Sequence, residues 1–125
     1  MTLHIEITSQ GSGRRQVWLQ GRLDTLTAPK LDEELAPVLA AREVTSLVFQ
    51  LGALDYISSA GIRSLVRARK ALAARGGEVA IVDPQPGVRK VFEIVKALPS
   101  DQVFTNDAEL DAYLDAMQRK ARGLS

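Results

Sequence analysis

The chain has 125 residues, 46% of them hydrophobic, with a formal net charge of +1 and no cysteine. One hydrophobic core fits that length, and a second domain of similar size does not. Near-neutrality supplies no field for nucleic acid or an anionic membrane surface, and the missing thiols exclude disulfides and thiolate metal sites.

Met1-Thr2-Leu3-His4-Ile5-Glu6 has neither a basic n-region nor an apolar h-region, and no apolar run reaches the length of a membrane span. A cytoplasmic protein without membrane insertion is therefore expected. Leu3-His4-Ile5-Glu6-Ile7 alternates apolar and polar residues, and Gly11-Ser12-Gly13 separates it from Gln16-Val17-Trp18-Leu19-Gln20. The pair predicts a β-hairpin, with Trp18 packed on the sheet and His4 as an ordinary strand residue. After Gly21, Thr27 is placed to cap a helix whose first turn tolerates Pro29. Leu31, Leu35, Val38 and Leu39 share one helical face, while Pro37 removes the bond to the Glu33 carbonyl and predicts a kink or an early end.

Leu47-Val48-Phe49 with Leu51 reads as a wholly apolar strand. A second helix, from near Ser58 to about Gly76-Gly77, turns Ile62, Leu65, Val66 and Leu72 inward and Arg63, Arg67 and Lys70 outward. That cationic stripe reads as a solvated face before it reads as a binding patch. Val79-Ala80-Ile81-Val82 is a short buried-type strand closed by Asp83-Pro84-Gln85-Pro86, and Val88, Val91, Phe92 and Val95 mark a third helix. Gln102-Val103-Phe104 suggests a weak strand, and Asn106-Asp107 caps a last helix with Leu110, Leu114 and Met117 along one side. Residues 1–118 are expected to form one domain and 119–125 a basic, frayed tail. The order predicts an α/β fold: a mixed four- to five-stranded β-sheet with about four helices packed mainly on one face.

The most informative stretch is Leu54-Asp55-Tyr56-Ile57-Ser58-Ser59-Ala60-Gly61, which leads from the apolar strand into the second helix. It is expected to set two adjacent hydroxyls at an accessible strand-to-helix turn. Ser58 is placed to cap the helix through its oxygen, and a phosphate there would meet unpaired N–H groups and the positive end of the helix dipole. Without other context, two such serines are simply a cap. Asp24 reads equally as a satisfier of turn backbone or as a partner contact.

Catalysis finds little support. Ser58-Ser59-Ala60-Gly61 is not a Gly-x-Ser-x-Gly elbow, and His4 is the one histidine available as a base. The chain carries neither a Gly-x-x-x-x-Gly-Lys-Ser/Thr phosphate loop nor a His or Cys cluster for a metal.

Three stretches carry a resemblance. Gly21-Arg22-Leu23-Asp24 resembles the Gly-x-Leu/Ile-Asp turn of STAS domains of the bacterial anti-sigma factor antagonist (anti-anti-sigma factor) type. Leu54 to Arg63 resembles their central switch motif, and Gly87-Val88-Arg89-Lys90-Val91-Phe92-Glu93-Ile94-Val95 resembles the helix after their fourth strand. The resemblance implies a single STAS-like domain, without cofactor, that regulates transcription by partner switching. Such a phosphoprotein binds a serine-kinase anti-sigma factor of histidine-kinase-like ATPase fold and frees the sigma factor. The kinase inactivates it by phosphorylating a serine at the start of the second helix, and a PP2C-type phosphatase restores it.

Carried over through Gly61, the phosphoacceptor is Ser59, with Ser58 as the alternative, and Asp24, Thr25, Ser58, Ser59, Ile62 and Arg63 form the partner-binding surface. The family pattern is Asp-Ser-Ser/Thr-Gly, so Ser58 stands at the acidic position and Ala60 at the following Ser/Thr. That departure favours the alternative function, a scaffold or transporter-associated binding subunit without a phosphorylation cycle.

Overall fold

The apolar alternation of the first segments closes into an antiparallel hairpin of β1 (Leu3–Ser9) and β2 (Arg14–Leu23), its connection turned by Gly11 and Gly13 at φ of 104° and 88°. Only glycine enters that region freely. A computed structural model describes residues 2–97, and their side chains as far as Phe92. Within them follow α1 (Ala28–Ala40), β3 (Ser46–Ile57), α2 (Ser59–Ala73), β4 (Glu78–Val82) and α3 (Pro86–Ala97). The sheet has the order β1-β2-β3-β4, with β2, β3 and β4 parallel. The strand expected at Gln102-Val103-Phe104, the last helix with Leu110, Leu114 and Met117, and the tail from Arg119 lie outside the described residues.

Parallel strands require crossovers, and the helices that supply them cover one face of the sheet. Leu19, Leu23, Leu47, Phe49, Leu51, Leu54 and Ile57 of the strands pack with Leu31 and Leu35 of α1, Leu65 and Leu72 of α2, and Val88 and Val91 of α3 in one core. β3 holds its inward face across two irregularities. Trp18 pairs with Gln50 but Gln20 with Ala53, and Gly21 pairs with Leu54 but Arg22 with Tyr56. Each shift puts one extra residue into β3, a bulge that resets which side chains face inward.

Several local expectations are corrected. α1 runs on through Pro37 to Ala40. The proline sits in the last turn, and the Ala41 N–H closes the end onto the Pro37 and Val38 carbonyls. Val66 is exposed on α2, and Trp18 stands 47% exposed on the sheet face opposite the helices. β4 alternates exposed and half-buried residues in place of a buried run.

Candidate functional site

Because β2 and β3 run parallel, their C-terminal ends come out at the same end of the sheet. Leu23 pairs with Ile57, and the Ser58 N–H donates to the Leu23 carbonyl at 2.9 Å. The turn after β2 and the first turn of α2 are therefore neighbours, as the sequence predicts for Asp24 and Ser59.

The β2–α1 turn is tightly built. Asp24 Oδ1 accepts from the N–H groups of Leu26 at 3.0 Å and Thr27 at 3.1 Å. The Thr27 hydroxyl accepts from the Asp24 N–H at 2.8 Å and lies 2.9 Å from the Arg22 carbonyl and 3.1 Å from Asp24 Oδ1, with its one proton available to either. Thr27 thus satisfies the turn and does not cap α1 with its side chain. Burial pushes the Asp24 carboxyl up, but the hydrogen bonds from Thr27 and Leu26, together with the Arg22 charge, outweigh it and hold the group below the usual carboxylate range. Arg22 Nε lies 3.6 Å from Asp24 Oδ2, and its guanidinium sits 4.0 Å above the Tyr56 ring.

On the other strand the geometry departs from expectation. Ser58 has extended backbone and its carbonyl accepts from the Ile62 N–H at 2.9 Å, but its side chain makes no capping bond. Its Oγ is buried without a hydrogen-bond partner. Ser59 is 3% exposed, so neither hydroxyl stands at the accessible surface foreseen for it. Gly61 explains the close approach. A Cβ there would lie 2.6 Å from Leu23 Cγ and 2.9 Å from Ile57 Cγ1, so the missing side chain lets the first turn of α2 lie flat on the ends of β2 and β3.

Of the expected contact surface, Thr25 and Arg63 are exposed and Asp24 is half-buried. Ile62, 5% exposed, packs in the core and is as deeply set as the serine pair. The sequence reading did not single out Leu26, which projects from the same turn with 88% of its surface exposed, or Arg22 and Tyr56 as a stacked pair. For Leu26 the sequence offers no signal, because the closing of the turn by Asp24 and Thr27 is seen only in the folded chain. Among the described residues no group of three or more His, Cys, Asp or Glu could hold a metal ion, and no helix is long and apolar enough to cross a membrane.

The family model for the STAS domain matches residues 7–110. The chain is 42% identical over 76 residues to BtrV of Bordetella bronchiseptica, which bears the name of an anti-sigma factor antagonist; the match covers 61% of this chain and 65% of that one. It is 30% identical over 94 residues to the anti-sigma-B factor antagonist of Listeria monocytogenes, covering 75% of this chain and 82% of that one. A solved anti-sigma factor antagonist from Mycobacterium paratuberculosis shares the fold with a TM-score of 0.67 at 22% identity, over 97% of this chain and 95% of that one.

Proposed function

The chain belongs to the STAS-domain family, and from that premise we propose that it is an anti-sigma factor antagonist, a non-catalytic cytoplasmic regulator that binds a serine-kinase anti-sigma factor and is switched off by phosphorylation at Ser59. The observation that carries this reading is the junction of the two turns: the Ser58 N–H on the Leu23 carbonyl holds the Asp24 turn beside the serine pair, so a partner seated on that turn lies over the first turn of α2. Asp24, Thr25 and Arg63 are the accessible part of that face, Ser58, Ser59 and Ile62 lie buried beneath it, and a PP2C-type phosphatase would reset it.

Burial changes how the switch works. A phosphoryl group added to a residue 3% exposed requires the first turn of α2 to lift from Leu23 and Ile57. That turn has no side-chain cap and no acidic residue, and the hydroxyl at its N-cap is unpaired. The missing cap, which is the unpaired Ser58 hydroxyl itself, is worth about 1 kcal/mol and a first-turn acid about 0.3–1 kcal/mol, so the turn opens more readily than a capped one. Once in place, the phosphate brings about −1.5 to −2 charge, enough to reverse the sign of the net +1, and a partner seated over an uncharged turn meets a dianion instead.

The test uses the purified protein with its cognate anti-sigma kinase and ATP. Phosphopeptide mapping should find phosphate on Ser59; Ser59→Ala should bind the kinase and resist modification, and Ser59→Glu should lose binding. Phosphate on Ser58 alone, or kinase binding that survives Ser59→Glu, overturns the assignment. The second reading, a binding subunit without a phosphorylation cycle, is favoured by Ser58 at the acidic position and by the burial of Ser59, and it would show partner binding with no phosphate on either serine.

A further inference from the structure

Leu26 is 88% exposed, against 47% for Trp18, 38% for Val66 and 37% for Val82. A lone exposed leucine on a loose loop would need no explanation. This one is held. Its own N–H donates to Asp24 Oδ1, the next residue's N–H donates to the same oxygen, and the Thr27 hydroxyl ties the turn to the Asp24 N–H. Thr27 itself is buried and fixes the base of the turn. The backbone under Leu26 is thus as constrained as a helix cap while the side chain stands in water.

We propose that Leu26 is an apolar anchor that enters a leucine-sized pocket on the anti-sigma kinase, which makes it a specificity-determining residue of the docking face; this rests on the antagonist reading above. The pocket is apolar because the turn offers little net charge to anything else. Arg22 Nε lies 3.6 Å from the Asp24 carboxylate and balances it, and the exposed neighbour, Thr25, is neutral. Fixing the backbone beforehand removes most of the ordering cost of binding, so the contact yields affinity that a mobile loop would lose. The anchor is continuous with the serine pair through Leu23: its carbonyl accepts from Ser58, and the Asp24 turn begins at the next residue. Where Asp32 of α1 meets Arg67 of α2 at 3.0 Å, the residues one turn earlier are Ala28 and Arg63, which sets exposed Arg63 toward the same end as Leu26.

The experiment measures binding of the purified anti-sigma kinase that the wild-type protein captures, by calorimetry and surface plasmon resonance. Leu26→Ala should weaken binding at least about tenfold, the loss appearing in the dissociation rate, as expected for an apolar side chain that leaves its pocket. Leu26→Met should keep affinity within about threefold, since it restores apolar volume. The ratio of wild-type to Leu26→Ala affinity should stay constant from about 0.05 to 0.5 M salt, whereas a charge contact would fade. The melting temperature of Leu26→Ala should match the wild type, because an exposed side chain adds little to the fold. Equal binding of wild type and Leu26→Ala, a ratio that collapses with salt, or a lowered melting temperature each overturns the anchor and leaves the antagonist reading standing. If no anti-sigma kinase binds the wild-type protein, both fall together.

Discussion

The Asp24 carboxylate accepts from two backbone N–H groups with the Arg22 charge beside it, and these contacts fix its charge state. Because its folded pKa is depressed, the ionised carboxylate stabilises the fold at every pH above the unfolded value of about 3.9, and that contribution is lost as pH falls through the folded value. Asp24→Asn keeps an acceptor oxygen but has nothing to titrate. Wild type should therefore melt above Asp24→Asn at neutral pH, and the gap should narrow as melts are repeated below about pH 4; a gap that stays constant to pH 2.5 would contradict a charged network. Asp24 and Gly61 were legible because each sits in a recognisable short motif. Leu26 was not, since a leucine near an amphipathic helix reads as core and only the finished turn shows that it points outward. The burial of Ser58 and Ser59 was also hidden. It depends on how closely α2 lies on Leu23 and Ile57, a tertiary distance that local spacing does not encode.

The elements are held together at their ends as well as through the core. Arg75, just past the end of α2, donates from Nη1 to the Leu39 carbonyl at 2.8 Å and from Nε to the Val44 carbonyl at 2.9 Å. One side chain thereby satisfies an orphan carbonyl in the last turn of α1 and pins the loop into β3. Arg75→Met should cost about 1.5–3 kcal/mol in urea unfolding, the range for hydrogen bonds to a charged donor. Arg75→Lys should recover only part of it, because a single ammonium lacks the fork that spans two carbonyls. Arg67→Ala breaks the 3.0 Å pair with Asp32 between α1 and α2, but at 61% exposure of Arg67 it should cost under about 1 kcal/mol. If the two positions cost the same, the end-tie account fails. At this scale the sequence was most readable where periodicity is unbroken, as in β1 and, Val66 apart, in α2. It misled at α1, where a proline in the final turn costs a single hydrogen bond and does not end the helix, and in β3, where two bulges make the inward residues fall at 47, 49, 51, 54 and 57 and obscure period two.

Across the whole molecule the sheet divides the labour by face and by end. Helices cover one face, the turns that carry Asp24, Leu26 and the serine pair gather at one end, and the opposite face leaves Trp18 in water beside exposed His4, Glu6 and Gln20. Trp18 precedes Leu23 by five residues on β2, which at about 3.3 Å per residue sets it roughly 17 Å from the switch end. It is the only tryptophan in the chain, so its fluorescence reports the open face alone. In the free protein acrylamide should quench it efficiently, since nearly half of the residue is exposed. A partner that docks on the Leu26 and Ser59 end should leave that quenching unchanged at saturation, measured with a tryptophan-free variant of the kinase, and the same should hold for the phosphorylated protein. Strong protection of Trp18 on binding would mean that the partner sits across the open sheet face, and the end-on arrangement that links the two turns into one docking surface would have to be abandoned.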